Sequence, residues 1–179
     1  MFKRTVYLLL FISSVMILAP SCRSHRGLPS TDLDPTTLAI KTKYANLMAV
    51  NQSQITNIKL YSFINDWYGT PYKYGGKTKL GIDCSDFVSV LEKEIYSQTV
   101  PPPSYSMYDQ CKPIPQNDLT EGDLVFFKID SEKISHVGVY LQNGYFVHAS
   151  CSKGVMIDKL EENYYKKYFY KGGRLINVQ

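Results

Sequence analysis

The segment HVGVYLQNGYFVHAS, residues 136–150, constrains the fold more than any other part of this 179-residue chain. Apolar residues alternate on either side of an Asn-Gly pair, which is typical of a β-hairpin. A two-residue loop would put the two histidines of the segment on opposite faces of the hairpin. A three-residue loop beginning at Gln142, with Gly144 in the left-handed conformation, instead pairs Tyr145 with Leu141. Because only the second register separates an apolar face from a polar one, we predict the three-residue loop.

This register makes His136 and His148 diagonal neighbours on one face, about 7–8 Å apart at the backbone. Gly138 lies between them and leaves room for the imidazole rings to meet. Two histidines brought together in this way can act as a base and as the group that orients it. Such a histidine pair would need a nucleophile from elsewhere in the chain.

The candidate nucleophile lies in GIDCSDF, residues 81–87. Apolar residues at steps of three and four follow Cys84, so the pattern predicts a helix that begins at this cysteine. Asp83 is then the N-cap and Asp86 the third helical residue, an arrangement that resembles a capping box. A helix N-terminus lowers the pKa of a thiol, whereas neighbouring carboxylates raise it.

Together these residues form a candidate catalytic trio. Cys84 would attack a carbonyl, His136 would take its proton, and His148 would hold His136 in the required tautomer. A thiolate–imidazolium pair would offset the two carboxylates, and backbone N–H groups at the helix start, including that of Cys84, would bind the oxyanion. Two alternatives are that the histidines are ordinary surface residues, or that the same three side chains bind zinc.

The order of the periodic segments predicts an α+β fold. Helical spacing occurs in residues 35–50, in residues 55–69 and again from Cys84 onward. A proline-rich stretch at residues 99–110 is expected to be extended. Strand patterns dominate the rest of the chain, so we expect N-terminal helices packed on an antiparallel sheet.

The N-terminus has the layout of a secretory signal: a basic start, an apolar run and small residues. Cys22 stands where a bacterial lipoprotein signal places its lipidated cysteine, so we expect a lipid anchor followed by a flexible tether over residues 23–36. An ordinary cleaved signal with an incidental cysteine is the alternative. The formal net charge of +4 is too small, and too evenly spread, to favour nucleic acid as a partner.

Three further cysteines follow the predicted signal, and an odd number in an exported protein suggests a free thiol. Cys111 and Cys151 are candidates for a disulfide, but the sequence leaves their state open.

Several motifs, in this order, resemble the NlpC-type cell-wall peptidases, and most closely their lipoprotein murein endopeptidases. The motifs are TPYKYGG, GIDCSDF, EGDLVFF, SHVGVYLQNGYFVHAS and GVMI. The resemblance implies a papain-like, circularly permuted cysteine peptidase fold that needs no metal or cofactor. It also implies that the catalytic trio is Cys84, His136 and His148, and that Tyr72 lies near the oxyanion site.

The resemblance further implies peptidoglycan peptides as the substrate, cut between D-Ala and diaminopimelate. A cut between D-Glu and the diamino acid is the alternative, in which Asp83 and Ser85 would hold a free amine; a non-catalytic peptidoglycan-binding lipoprotein is another. The family usually has glycine where this chain has Asp86. We expect a monomer anchored in the outer membrane and facing the periplasm, with a signal at residues 1–21, a lipidated tether and helical segment at 22–54 and a catalytic domain at 55–179.

Overall fold

This computed structural model describes residues 33–176, in which α-helices are combined with antiparallel strands. The strands are β1 (Lys77–Thr78), β2 (Gly81–Ile82), β3 (Cys111–Ile114), β4 (Leu124–Phe127), β5 (His136–Tyr140), β6 (Tyr145–Ser150), β7 (Gly154–Lys159) and β8 (Phe169–Leu175). Strands β1 and β2 form a two-stranded ribbon, and the other six form a sheet with the order β3-β8-β4-β5-β6-β7. The neighbouring strands in both sheets are antiparallel.

Local sequence features explain where the first helix begins. Asp34 caps the first helix by accepting from the N–H groups of Thr36 and Thr37, and Pro35 occupies its first position. The last two residues of the predicted tether are therefore already helical. The α-helices are α1 (Pro35–Met48), α2 (Ile58–Trp67), α3 (Cys84–Leu91), α4 (Ser104–Tyr108) and α5 (Asn163–Tyr168), and a π-helical turn (Glu92–Tyr96) continues α3.

Both faces of the six-stranded sheet are covered. Helices α1, α2 and α3 form the larger core with one face, to which β5 and β6 contribute Val137, Val139 and Val147. A smaller cluster on the other face joins Phe127 and Phe146 to Tyr165 of α5. The α+β prediction of helices packed on an antiparallel sheet is confirmed.

The hairpin has the predicted three-residue loop. Val139 pairs with Val147, and the N–H of Leu141 donates to the carbonyl of Tyr145 over 2.8 Å. Gly144 has a φ of +80°, which is the left-handed conformation that the prediction required. A Cβ atom at Gly138 would lie 2.7 Å from the ring of Phe146 and 3.1 Å from Cβ of His148. The space between the histidines therefore does depend on glycine.

Three features of the structure correct or extend the sequence predictions. The alternative that the histidines are ordinary surface residues is wrong, because α5 and the Phe127 side chain cover their face of the hairpin and leave His148 only 1% exposed. The proline-rich stretch is not wholly extended, since α4 begins directly after Pro103. Strand β3 was not predicted, and its Pro113 is tolerated because β3 is an edge strand whose neighbour in the sheet is β8.

Cys111 and Cys151 are both free thiols, which answers the question that the sequence left open. Cys111 is buried and its thiol lies 3.2 Å from the carbonyl of Met107, whereas Cys151 is exposed in the turn between β6 and β7. Within residues 33–176, no helix has the length and hydrophobicity needed to span a membrane. The predicted signal and Cys22 lie outside the described residues.

Candidate active site

The start of α3 is fixed by Asp83, which is the N-cap as predicted. Its Oδ1 accepts from the N–H of Asp86 over 2.8 Å and from the hydroxyl of Ser85 over 2.9 Å. Its Oδ2 accepts from the N–H of Gly75 over 2.9 Å. Three donors thus hold one buried carboxylate, which ties the glycine-rich loop before β1 to the helix and sets the position of Cys84.

Asp86, which stands where the resemblance predicts glycine, occupies the third position of α3 without disrupting the helix. Its carboxylate lies 3.8 Å from Nζ of Lys77 on β1. Burial, followed by the charge of Asp83, raises the pKa of Asp86. The second half of the capping box is therefore replaced by a partly buried ion pair with Lys77.

Cys84 is buried at the N-terminus of α3, with only 6% of its surface exposed. Burial raises the pKa of its thiol to about 12, although the N–H groups of Val137 and Ser85 act in the opposite direction. Val137 directly follows His136, so the thiol lies beside the first residues of β5. Within the described part of the chain, the N–H of Cys84 donates to no protein acceptor, and it is therefore available to an oxyanion.

The two hairpin histidines are in direct contact. Nε2 of His136 lies 2.7 Å from Nδ1 of His148, and the rings meet edge to face with centroids 4.9 Å apart. The nitrogen of His136 that remains for another partner is Nδ1. Among the described side chains no hydrogen bond joins His136 to the Cys84 thiol; such catalytic contacts commonly tighten only when a substrate binds.

The charge state of the trio differs from the expected thiolate–imidazolium pair. Burial, followed by the neighbouring His148, lowers the pKa of His136 well below its usual value. Because burial also raises the pKa of Cys84, both groups are neutral near pH 7. The site can still ionise the thiol by passing its proton to a neutral imidazole as a carbonyl is attacked.

Tyr72 lies close to the nucleophile. A parallel bridge to Ile82 holds its backbone next to Asp83. Burial raises the pKa of the Tyr72 hydroxyl, and the thiols of Cys84 and Cys151 add to this shift. The structure therefore places Tyr72, Asp83 and Ser85 close to Cys84, and it places His136 in contact with His148.

The histidine pair continues into two further side chains that the sequence reasoning missed. Nε2 of His148 lies 2.9 Å from Oδ2 of Asp158 on β7. The hydroxyl of Tyr165 on α5 donates to the same oxygen over 2.7 Å. A buried row of four polar side chains therefore runs from His136 to Tyr165.

A cavity of about 500 Å³ lies against this row. Lys153 and Glu162 bring one positive and one negative charge to its wall, and Cys151 adds an exposed thiol. Over residues 33–176, no group of three or more His, Cys, Asp or Glu side chains has an arrangement that could hold a metal ion.

Most of the region that contains the site matches a known protein family. Residues 69–174 match the NlpC/P60 family. The chain belongs to the NlpC/P60 family. The match covers more than half of the chain and includes every residue of the candidate site, from Tyr72 to Tyr165.

Two curated NlpC/P60 relatives from Escherichia coli are similar over long stretches. The murein DD-endopeptidase MepS/murein LD-carboxypeptidase of strain K12 is 33% identical over 171 residues, which are 92% of this chain and 89% of the relative. The probable endopeptidase NlpC of the same strain is 41% identical over 113 residues, 63% of this chain and 73% of the relative. The predicted resemblance to the murein endopeptidases of this family is confirmed.

A solved NlpC/P60 structure supports the fold. The family protein from Bacillus cereus superposes with a TM-score of 0.61 at 24% identity, over 68% of this chain and 41% of that one. At this identity the likeness shows the fold alone, and it agrees with the papain-like α+β arrangement expected for the NlpC/P60 family.

Of the two missed side chains, only Asp158 had a partial signal in the sequence, its place in a strand pattern. The segment GVMIDKL is predicted as a strand, and residues two apart on a strand share a face. In the structure Phe146 pairs with Asp158, which puts Asp158 on the face of His148. The sequence does not show this pairing, because it depends on the turn of Cys151, Ser152 and Lys153 that sets the register between β6 and β7.

Proposed function

We propose that this chain is a peptidoglycan endopeptidase that cuts the peptide cross-link between D-Ala and diaminopimelate, with Cys84 as its nucleophile. The observation that carries the proposal is the 2.7 Å contact between His136 and His148 at the start of β5, beside the thiol at the N-terminus of α3. Membership of the NlpC/P60 family and the names of the relatives support the endopeptidase class. The similarity to MepS over most of both chains supports the D-Ala bond.

In the proposed mechanism Nδ1 of His136 takes the thiol proton while the sulfur of Cys84 attacks the D-Ala carbonyl. The carbonyl oxygen becomes an oxyanion that accepts from the N–H of Cys84 and lies near Tyr72. The intermediate collapses to a thioester as the C–N bond breaks, and His136 returns its proton to the leaving amine of diaminopimelate. Water, activated by His136, then hydrolyses the thioester and regenerates the thiol.

The neutral state of the trio suits this mechanism. A neutral imidazole is the form that can accept the proton, and a neutral thiol costs less to bury than a thiolate. His148 holds His136 through Nε2 and leaves Nδ1 available. His148 therefore orients the base and does not itself touch the sulfur.

The alternative cut, between D-Glu and the diamino acid, would use Asp83 and Ser85 to hold a free amine. In this chain Ser85 donates to Asp83, and that carboxylate also accepts from the N–H groups of Gly75 and Asp86. A carboxylate has about four acceptor positions, so three are already used. We therefore assign Asp83 to capping and loop attachment, and favour the D-Ala bond.

The proposal includes the substrate of the protein and its location in the cell. The murein-directed name of the relative that covers most of the chain supports peptidoglycan as substrate and the cell envelope as location. Lipidation of Cys22 would anchor the protein in the outer membrane, facing the periplasm. The protein would act there as a monomer. The domain boundaries at residues 21 and 54 belong to the same proposal, although α1 packs into the same core as the catalytic elements.

The proposal is tested with a purified cross-linked dimer in which two tetrapeptide muropeptides are joined through D-Ala and diaminopimelate. The full chain is incubated with the dimer, and the products are identified by mass spectrometry. We expect two tetrapeptide monomers and the uptake of one water. Products cut after D-Glu would support the alternative bond, and the absence of any product would favour a non-catalytic peptidoglycan-binding lipoprotein.

A further inference from the structure

Beyond His136 and His148, a series of hydrogen bonds continues to Asp158 and Tyr165. Asp158 lies on β7 opposite Phe146, and its Oδ2 faces Nε2 of His148 at 2.9 Å. Tyr165, on the helix that covers this face, donates to the same oxygen over 2.7 Å, and its own oxygen lies 3.3 Å from Nε2 of His148. Asp158 and Tyr165 are both buried, so these bonds are shielded from competition with water.

Asp158 is the acceptor at which this series of hydrogen bonds ends. Although burial alone would raise its pKa, the hydrogen bonds from His148 and Tyr165 lower the pKa of Asp158 below its usual value. The carboxyl group is therefore ionised near pH 7, and an ionised carboxylate can only accept hydrogen bonds. The facing nitrogen of His148, Nε2, must then carry a proton.

The protonation of His148 determines that of His136. Burial lowers the pKa of His148, so near pH 7 its ring is neutral and carries a single proton. With that proton on Nε2, Nδ1 of His148 is an acceptor, and Nε2 of His136 must be the donor across the 2.7 Å contact. The neutral ring of His136 then has its lone pair on Nδ1, which is the nitrogen that the mechanism needs as a base.

We propose that Asp158, held in place by Tyr165, is a positioning residue that sets the tautomers of both His148 and His136. This inference deepens the proposed function and rests on it for its catalytic meaning. The carboxylate has a second effect: its negative charge stabilises the imidazolium that forms when His136 takes the thiol proton. Two other charges face the same region, Glu162 at the start of α5 and Lys153 in the turn between β6 and β7.

The tautomers can be observed without substrate by long-range ¹H–¹⁵N spectroscopy of the full chain at pH 7. The sequence contains three histidines, so replacing His25 and His148 one at a time assigns all the signals. We expect both His136 and His148 to carry their proton on Nε2. A wild-type spectrum with the proton of His148 on Nδ1 would overturn the proposal, whatever the activity of the protein.

The variants give the catalytic part of the test. In Asp158→Ala, we expect mixed histidine tautomers and a loss of about 10- to 100-fold in kcat/KM, by analogy with the loss of a partner that orients a metal-binding histidine. Asp158→Asn keeps an acceptor oxygen, so it should retain the tautomers. It loses the charge, so the acid limb of its pH profile should move to lower pH. Glu162→Gln is the matched control, since it removes a nearby charge that bonds to neither histidine, and it should keep the wild-type tautomers.

The outcomes separate this inference from the proposed function. If wild type shows the expected tautomers but cuts no peptidoglycan, the positioning role stands and the proposed activity fails. If wild type cuts the dimer and Asp158→Ala keeps both the tautomers and kcat/KM, the positioning role fails alone. Should Asp158→Ala not fold, Tyr165→Phe provides the second variant, with a smaller expected fall in kcat/KM and the same spectroscopic readout.

Discussion

Replacing Cys84 with alanine is expected to reduce cleavage of the cross-linked dimer by at least about 10⁴-fold, because loss of a covalent nucleophile leaves only binding and oxyanion stabilisation. Cys84 is the thiol at the N-terminus of α3 that receives the N–H groups of Val137 and Ser85. The initial rate of monomer release, followed by chromatography at saturating dimer, measures the effect. The fold should survive, since alanine is slightly smaller than cysteine and forms helices readily.

Cys151→Ala is the matched control for this variant. Cys151 is an exposed thiol on the wall of the same cavity, and it contributes to the raised pKa of Tyr72. We expect Cys151→Ala to retain most of the wild-type rate. A Cys84→Ala protein that cuts as fast as wild type, or a Cys151→Ala protein that does not cut at all, would contradict the assignment of the nucleophile.

Replacing His136 with alanine is expected to cost about 10²- to 10⁴-fold in kcat/KM at pH 7, the usual contribution of general acid–base catalysis. The thiol of Cys84, with a pKa raised to about 12, has only roughly one part in 10⁵ ionised at pH 7 without a base. His148→Ala should lose less, because it removes the group that orients the base and leaves the base itself. Measurement of kcat/KM on the dimer for wild type, His136→Ala and His148→Ala tests this order.

The pH profile distinguishes a missing base from a damaged fold. The proposed mechanism requires neutral His136, whose pKa lies well below its usual value, so the acid limb of wild type should lie below about pH 6.5 and its rate should be nearly constant above it. The His136→Ala rate should instead rise about tenfold per pH unit as the thiolate forms. An unchanged rate and profile in His136→Ala would show that His136 is not the base. His25→Ala is the control, since His25 is not among the residues assigned to the candidate site.

The parts of the site that could be predicted from sequence are those with local causes. An N-cap aspartate and a helical pattern locate Cys84 at the start of α3, and the spacing of the hairpin places His136 and His148 on one face. Each of these rules operates within about fifteen residues. Short-range stereochemistry was therefore enough to bring the two histidines together.

The parts that could not be predicted depend on distant packing. The sequence left open whether the histidines lie at the surface, but α5 folds back over them from the chain after β7 and buries both rings. This burial changes the chemistry, because it makes His136 and Cys84 neutral where an ion pair was expected. Asp158 and Tyr165 were missed for the same reason, since their roles depend on strand pairing and helix docking that no local pattern specifies.

The central claim, that Cys84 is the residue that attacks the D-Ala carbonyl, is tested most directly by an affinity label. The label is a stem tetrapeptide whose terminal D-Ala carries a chloromethyl ketone, which alkylates a nucleophilic thiol with loss of chloride. The full chain is treated with the label at pH 7, with and without the dimer, and the modified peptide is identified by mass spectrometry. We predict one label per chain, on Cys84, slowed by the dimer and absent in Cys84→Ala. Labelling of Cys151 instead, or no labelling of a protein that still cuts the dimer, would contradict the account.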